Sequence, residues 1–243
     1  MTTFAGSRQT APPGPDRIEA RVFLQPIAAP VVLGWYALSA GLIMFGTWFA
    51  GAWGNATSPE GFFPFVLLFA GAGQLAAAMW SFRGRDAVSA ALHGSWAAFW
   101  AGWGVMWLMA TAGAFVVPPL GHHFAPMGQW LIYMAAISLT TAIGALARGP
   151  AEFLAHLLLC AGAATASAGF LLGSSSWETV SAWLFVAAAG VGIYVGTATM
   201  LANVFGMVVL PLLRWKGDRN VPRRAIGEPV AYEHGDPGVK AGQ

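Results

Sequence analysis

Six long stretches of this chain are almost free of charge, and no other feature constrains its fold as strongly. They run over residues 31–52, 61–82, 87–114, 127–147, 151–173 and 180–202, and together they hold one formally charged side chain, Glu152. A helix needs about 20 apolar residues to cross a bilayer. Every stretch meets that length, so the sequence predicts an all-α, polytopic membrane protein with six transmembrane helices.

The composition excludes the other broad classes of protein. Charged residues make up 9% of the chain and hydrophobic residues 57%, whereas about a quarter of the residues in a soluble domain are charged. A soluble fold of 243 residues could not cover its surface with so few charges. Cys160 is the one cysteine, which excludes an intrachain disulfide and a cysteine-based metal cluster. We expect no metal and no cofactor.

The basic residues indicate how the predicted helices are oriented. Of the 12 Lys and Arg residues, three precede the first helix, two lie in the second loop, one lies in the fourth loop and six follow the last helix. The first, third and fifth loops contain none. Because loops rich in Lys and Arg stay in the cytoplasm, this pattern places both termini there. The excess of basic residues therefore reflects topology, and we expect no nucleic-acid partner.

We expect one membrane domain flanked by two tails. Residues 1–28 are rich in Pro, Gly and Ser and contain no apolar run long enough for a cleavable signal, so they are predicted to be a disordered cytoplasmic tail. Residues 29–213 would form the six-helix domain, and residues 214–243 would form a basic cytoplasmic tail. The apolar stretch 180–213 is too long for one span, so we expect the last helix to break near residues 203–206.

Polar side chains are rare inside the predicted helices. His93 and His156 lie inside the cytoplasmic ends of the third and fifth helices. They could form a protonatable pair that shapes the cytoplasmic mouth of a path, or they could be neutral histidines bonded to neighbouring helix backbones. Gln74 and Asn203 could line a path for a small polar solute or join helices. With no mid-helix acid to orient a histidine and no nucleotide-binding motif, the sequence does not predict an enzyme.

Tryptophans and small residues give the third helix two distinct faces. Four tryptophans share one face, namely Trp96, Trp100, Trp103 and Trp107. This face could contact lipid, another subunit or a pore, and we favour packing or an interface. Small residues at four-residue spacing include Gly94, Ala98 and Gly102 on the third helix and Ala188, Gly192 and Gly196 on the sixth. Such residues allow close helix contacts within one subunit or between subunits.

Four short motifs resemble those of the acetate uptake transporter family, the YaaH-type membrane proteins. Residues 29–34 (APVVLG) are similar to the family's NPAPLG signature through Pro30, Leu33 and Gly34. Two further segments, GAGQ at 71–74 and SWAAFW at 95–100, are similar to its GxxQ and SYGxFW motifs. The segment that ends at Pro211 resembles the family's last helix. The motifs keep the family's order and spacing from about residue 29 to residue 213.

The resemblance implies a fold and a site. It implies six helices, cytoplasmic termini and a homo-oligomer, commonly a hexamer, with one path per subunit. The family's narrow apolar constriction corresponds here to Leu38, Trp96 and, on the fifth helix, Leu159 or Cys160. Gln74 falls on the family's membrane glutamine, and with Asn203 it would supply hydrogen bonds where the solute loses water.

The function implied by the resemblance is transport through a membrane. The chain would be a transporter or channel for acetate or a related small mono- or dicarboxylate, passive or proton-coupled, in a bacterial cytoplasmic membrane. Two acids common in the family are replaced here by Ser81 and Thr199. These replacements motivate an alternative, a non-transporting structural subunit of a larger membrane complex that retains the fold. The scarcity of charge also leaves open a channel for neutral solutes such as urea.

Overall fold

The computed structural model describes residues 28–215 and 222–223, and no strand occurs among them. Its helices are α1 (Pro30–Phe49), α2 (Ser58–Phe65), α3 (Gln74–Arg83), α4 (Ala87–Thr111), α5 (Ala125–Ala145), α6 (Pro150–Leu172) and α7 (Ser175–Phe205). A π-helical segment, Val66–Gly73, joins α2 to α3. The tails expected at residues 1–28 and 214–243 lie almost entirely outside the described residues.

All six uncharged stretches form helices, and the fold is that of an all-helical membrane protein. Helices α1, α5, α6 and α7 and the continuous helix Ser58–Arg83 are long and apolar enough to cross a membrane. Helix α4 has 25 residues and contains no Asp, Glu, Lys or Arg, so its length also suffices. Its four tryptophans and His93 are buried.

Helix α1 packs along α7 through glycines. A Cβ at Gly192 would lie 2.7 Å from Ser39 Oγ, and a Cβ at Gly196 would lie 3.2 Å from Trp35 Cβ. Close approach of the two helices therefore depends on the missing side chains. Ser39 Oγ donates to the Ala189 carbonyl at 3.1 Å, which ties the helices together. The small residues of the last helix thus serve contacts within the subunit.

The small residues of α4 lie on a different surface. Ala98 and Gly102 are exposed, and a Cβ at Gly102 would meet no atom within 4 Å. On its other side α4 approaches the π-helical segment, where a Cβ at Gly104 would lie 2.7 Å from Leu67 Cβ. The described residues therefore leave the small face of α4 uncovered.

Helix α7 ends where the sequence predicts a break. Its last residue is Phe205, and Gly206 follows with a φ of +64°. This left-handed conformation favours glycine and commonly ends a helix. The break expected near residues 203–206 is confirmed.

After α7 the chain turns back as a return segment, residues 207–215. Tyr194 Oη donates to the Pro211 carbonyl at 2.7 Å, which holds the segment against α7. Trp215 Nε1 donates to the Leu146 carbonyl at 2.6 Å, which holds it against the end of α5. The return segment therefore crosses the end of the bundle at which α5 ends and α6 begins.

Candidate functional site

An apolar layer lies near the middle of α1, α4, α6 and α7. We define it as Leu38, Trp96, Leu159 and Phe185, which belong to one buried hydrophobic cluster. Leu38, Trp96 and Leu159 have 0% of their surface exposed. Trp96 Nε1 donates to Ser138 Oγ at 3.2 Å, so the indole has a fixed orientation. Leu38, Trp96 and Leu159, which the resemblance assigns to a constriction, are thus all fully buried in one hydrophobic cluster.

Phe185 is the member of the apolar layer that the sequence does not single out. It is one of 16 phenylalanines in an apolar chain, so its identity carries no signal. Its ring lies edge-on to Trp96 with a centroid distance of 5.9 Å. A Cβ at Gly162 would lie 2.7 Å from Phe185 Cδ1, so a glycine on α6 makes room for the ring.

The imidazole cluster, formed by Trp35, Gln74, His93 and His156, lies nearer the start of α1 and α4 than the apolar layer. All four side chains are at most 1% exposed. The Trp35 ring is edge-on to both imidazoles, with centroid distances of 5.7 Å to His93 and 5.4 Å to His156. Gln74 follows directly on the π-helical segment, a type of helix that often occurs at functional sites. The two histidines expected at a mouth are therefore enclosed around one indole.

Hydrogen bonds determine which nitrogen of each imidazole carries a proton. Gln74 Nε2 donates to the Ala70 carbonyl at 2.9 Å, so its Oε1 remains to accept, and His93 Nδ1 lies 3.3 Å from that oxygen. His156 Nδ1 lies 2.6 Å from the Glu152 carbonyl oxygen. Carbonyl oxygens only accept, so both Nδ1 atoms carry the proton. In the neutral imidazoles each Nε2 then holds a lone pair, and neither Nε2 has a partner among the described residues.

Gly34 allows the His93 ring to reach its position. A Cβ at residue 34 would lie 2.4 Å from His93 Nε2 and 2.7 Å from His93 Cε1. Nonbonded atoms do not approach so closely, so any larger residue would displace either the ring or α1. Pro30 lies in the first turn of α1, where its missing N–H is tolerated, and Leu33 is exposed. The glycine of the signature thus has a direct steric role at the site.

The start of α4, the α5–α6 turn and the return segment meet in a charged cluster of Asp86, Arg148, Glu152 and Arg214. Arg148 donates to Asp86 and, at 3.1 Å, to Glu152. Arg214 Nη2 lies 3.8 Å from Glu152 Oε1, and its Nη1 donates to the Arg148 carbonyl at 3.1 Å. Asp86 also caps α4 by accepting from the Ser89 N–H at 2.9 Å. The cluster therefore ties the return segment to the starts of two helices.

The acids and bases of the charged cluster stabilise one another's charged forms. Burial raises the pKa of Asp86, but hydrogen bonds from Ser89 and the charge of Arg148 outweigh burial and hold the pKa below its ordinary value of 3.8. Burial lowers the pKa of Arg148, and the carboxylates of Glu152 and Asp86 reverse this effect and raise the pKa above its usual range. Asp86 and Arg148 are therefore charged at neutral pH. Both also act electrostatically on the two buried histidines.

The opposite end of α1 and α4 is aromatic. The rings of Phe45, Trp48, Phe62 and Trp103 contact one another with centroid distances between 5.4 and 6.1 Å. Beside them is a cavity of about 100 Å³, whose lining includes Trp107 and, from the α4–α5 loop, Pro118 and Leu120. A cavity of this volume can hold several waters or one small solute. The aromatic end thus has a cavity large enough for a small solute.

Glu178 is a buried acid at the aromatic end that the sequence does not single out. The predicted helix begins at residue 180, but α7 begins at Ser175, so Glu178 lies in its first turn. The side chain is 1% exposed. Its Oε2 accepts from the Gly121 N–H at 2.7 Å, while Oε1 has no partner within the described chain. Glu178 therefore ties the α4–α5 loop, which lines the cavity, to α7.

The tryptophan face of α4 packs inside the subunit. Trp96, Trp100, Trp103 and Trp107 are all buried. Consecutive pairs have centroid distances of 6.1, 6.4 and 5.9 Å. The packing that the sequence analysis favours for this face is confirmed, and contact with lipid is not observed for these four side chains.

Other residues of interest lie outside the layers described above. The Asn203 side chain is exposed and donates to the Thr199 carbonyl of its own helix at 2.8 Å. Cys160 is half-buried. Ser81 is buried and donates to the Ala77 carbonyl at 2.8 Å. The structure therefore does not bring Asn203 together with Gln74.

Within the described residues, no three His, Cys, Asp or Glu side chains are grouped so that they could hold a metal ion.

The chain is similar to known proteins over most of its length. A family model described as the GPR1/FUN34/yaaH family matches residues 11–214. Among solved structures, one described as the structure of the bacterial acetate channel SatP is similar, with a TM-score of 0.69 and 18% sequence identity. The similarity covers 76% of this chain and 99% of that chain, so it concerns the whole helical fold. A comparison with curated protein sequences found no match.

Proposed function

This chain belongs to the GPR1/FUN34/yaaH family, and from that premise we propose that it is a membrane channel or carrier for acetate or a related small mono- or dicarboxylate. The observation that carries the proposal is the family match over residues 11–214. The fold supports it, because the solved structure that shares this fold is described as a bacterial acetate channel. The proposed activity is transport, and no catalytic step is part of it.

The proposed path follows α1 and α4 from one end of the bundle to the other. Along α4 a solute would pass the charged cluster at Asp86, the imidazole cluster at His93 and the apolar layer at Trp96. It would then reach the aromatic end and its cavity of about 100 Å³. Cys160 is half-buried and Asn203 is exposed. In this proposal the tight part of the path therefore consists of Leu38, Trp96 and Leu159.

The apolar layer acts as the gate in this proposal. Its side chains offer no polar group that could replace the water around a carboxylate, and Trp96 Nε1 is already bonded to Ser138. Removing an ion from water without such replacement costs several kcal/mol or more. Leu38, Trp96 and Leu159 are fully buried, which supports the proposal that this layer excludes water when the gate is closed.

We propose that all six helical segments span the membrane, with α4 as the third, and that both termini are cytoplasmic. The support is the distribution of Lys and Arg, which occupy the tails and two loops on one side of the predicted topology. The charged cluster would then face the cytoplasm and the aromatic end the other side of a bacterial cytoplasmic membrane. In this arrangement residues 29–213 are the membrane domain between two cytoplasmic tails.

We also propose a homo-oligomer with one path per subunit, the hexamer being the form that the resemblance implies. The exposed small face of α4, which includes Ala98 and Gly102, supports this proposal. A neighbouring helix could approach that face closely, because small side chains do not obstruct backbone contact. The path itself would run inside each subunit, where the tryptophan face of α4 is buried.

The test of the gate is Trp96→Ala in proteoliposomes. Removing the indole opens the apolar layer, so we expect labelled-acetate uptake to rise about tenfold, which corresponds to ~1.4 kcal/mol off the barrier. Uptake is measured with and without an imposed pH gradient and corrected for protein-free vesicles. Trp183→Ala is the matched control, since Trp183 is exposed on α7. An active wild type with an unchanged Trp96→Ala rate would refute the gate assignment.

A structural subunit of a larger membrane complex is the second candidate function. Ser81, which stands where the family has an acid, bonds to its own helix and so offers nothing to a solute. This subunit would retain the closed apolar layer without opening it. Absence of acetate uptake above protein-free vesicles, together with purification in a stable complex with unrelated subunits, would favour this candidate.

A further inference from the structure

The imidazole cluster contains three buried polar atoms, His93 Nε2, His156 Nε2 and Trp35 Nε1, that form no hydrogen bond within the described residues. None of them belongs to the proposed gate. We propose that His93, His156 and Trp35 form a recognition site for an undissociated carboxyl group, so that the solute passes this point as the neutral acid. The inference rests on the proposed function, because it names the chemical form of the solute that the path admits. It concerns side chains of this chain that the gate assignment does not involve.

Two of the unused atoms are hydrogen-bond acceptors. His93 Nδ1 and His156 Nδ1 carry the protons, because each faces a carbonyl oxygen. The two Nε2 atoms are therefore left with lone pairs, and both are buried and without a partner in the described chain. A buried acceptor of this kind requires a donor to complete it. A carboxylate has no donor, whereas an undissociated carboxyl group has one in its O–H.

The third unused atom is a donor. Trp35 Nε1 is buried and has no partner in the described part of the chain, and the indole is edge-on to both imidazoles. An indole N–H can only donate, so it requires an acceptor such as a carbonyl oxygen. The cluster thus carries acceptors and a donor together. An undissociated carboxyl group has one O–H, which can donate to either of the two acceptors, and one C=O, which can accept from the donor.

The charges around the cluster do not make it a site for a bare anion. Asp86 and Arg148 face both histidines with opposite signs. Glu152 contributes its backbone carbonyl to His156, and Gln74, which contacts His93, is neutral. The charged cluster as a whole contains two acids, Asp86 and Glu152, and two bases, Arg148 and Arg214, so a carboxylate would find no net positive charge to replace its water. A neutral solute avoids this cost.

The total charge of the solute and the site stays the same even if the proton of the acid moves to one of the two imidazoles. Transfer breaks the O–H bond of the acid and leaves its electron pair on the carboxyl oxygen. The Nε2 lone pair of one imidazole forms the new N–H bond. The result is an imidazolium beside a carboxylate, a pair with the same total charge as before. In either form the solute and its proton cross the cluster together.

The geometry indicates where the site opens. A Cβ at Gly34 would lie 2.4 Å from His93 Nε2, so in this closed structure that lone pair faces the backbone of α1. A small separation of α1 from α4 would uncover it. The hydrogen bonds that the acid then forms offset part of the free energy that the separation costs.

The first experiment is ¹⁵N NMR of the full-length protein in nanodiscs with labelled histidine. His93→Leu and His156→Leu assign the two signals among the five histidines. We expect protonated Nδ1 and unprotonated Nε2 at both residues without solute. Acetate added at pH 5 should shift at least one of the two Nε2 signals, and sodium chloride at the same concentration should shift neither. Protonated Nε2 atoms in the solute-free protein, or signals that acetate leaves unchanged, would overturn the site whether or not the protein transports.

The second experiment measures labelled-acetate uptake into proteoliposomes at an imposed membrane potential, set with potassium and valinomycin. If the neutral acid is the species that crosses, the initial rate above protein-free vesicles is independent of the potential. At constant total acetate the rate falls about tenfold per pH unit above pH 6, in proportion to the undissociated acid. A rate that follows the potential would overturn this inference while leaving acetate transport intact. Absence of uptake would instead contradict the proposed function.

Variants separate recognition from packing. His93→Leu and His156→Leu remove the acceptors, and each is expected to lower uptake about tenfold, the equivalent of one hydrogen bond. His93→Gln keeps an acceptor and should retain at least half of the uptake. His122→Leu is the matched control, because His122 is an exposed histidine in the α4–α5 loop. Wild-type uptake in the double variant His93→Leu/His156→Leu would overturn the site.

Discussion

The two ends of the bundle are closed by different means. At one end, Asp86, Arg148, Glu152 and Arg214 form a cluster in which each charged group has a partner of opposite sign. At the other end, aromatic rings pack beside a cavity, and the buried Glu178 carboxylate has a hydrogen bond to one oxygen only within the described residues. The charged end is thus held by ion pairs, and the aromatic end by ring packing together with hydrogen bonds such as the one from Trp48 Nε1 to the Asn55 carbonyl at 2.7 Å.

This difference indicates how easily each end could open. Removing one member of a partly buried ion-pair cluster is costly, because a remaining charge loses its partner while it stays away from water. Stacked rings can slide past one another at a smaller cost, since each contact contributes little. We therefore expect the aromatic end to open more easily than the charged end. The three predictions below test that ranking.

The largest effect is expected for Arg148→Leu. The change leaves Asp86 and Glu152 without the cation that both contact, so we expect the free energy of unfolding to fall by about 3 kcal/mol. The measurement is reversible unfolding in mixed micelles with increasing dodecyl sulfate. Arg148→Lys is the matched control and should lose less, because it retains the charge. Equal stability of Arg148→Leu and wild type would show that the charged end is not held by this cluster.

A smaller effect is expected for Glu178→Ala at the aromatic end. The change leaves the Gly121 N–H without its acceptor, and we expect a loss of about 1–2 kcal/mol in the same assay. Glu178→Gln retains an acceptor and should lose less. Glu60→Ala provides the control, since Glu60 is exposed. If Glu178→Ala lowered the free energy of unfolding more than Arg148→Leu does, the aromatic end would be the more strongly held of the two ends.

The smallest effect is expected from acid. The pKa of Asp86 lies below its ordinary value of 3.8 in the folded protein, so its contribution to stability is complete above that pH and is lost as the pH falls through the folded pKa. Protonated Asp86 still leaves Arg148 paired with Glu152, which limits the loss. Asp86→Asn should therefore be less stable than wild type at pH 7, and the difference between the two proteins should be smaller at pH 3. A constant difference between the two pH values would contradict this account.

The helices of this fold could be predicted from the sequence, because few backbone structures other than a helix can cross the hydrocarbon of a bilayer. Uncharged stretches bounded by Gly, Pro and Arg predict segments whose ends agree with the structure to within about five residues. The inward face of α4 was also predictable, since four tryptophans at helical spacing exceed what an interface with lipid requires. The π-helical segment Val66–Gly73 had no such signal, because its composition does not differ from that of an ordinary apolar helix.

Less of the candidate site than of the fold could be predicted from the sequence. Gln74, His93 and His156 stand out as polar residues in apolar helices, but their arrangement around Trp35 depends on the register between α1, α4 and α6. The steric role of Gly34 becomes visible only when the His93 ring lies against it. Glu178 was hidden because it lies outside the predicted helix, and Arg148 contacts Asp86 and Arg214, which are 62 and 66 residues away along the chain. Contacts of this kind are tertiary, and no local pattern encodes them.

Helix α4 has a consequence for how the protein is synthesised. Its inward face consists of tryptophans and a histidine that stay away from lipid once the neighbouring helices are present. Before then that face is exposed. We therefore expect this face to be covered first by α1 and the helix Ser58–Arg83, both of which emerge earlier from the ribosome. The chain order in which the spans appear is thus part of what allows this face to be buried.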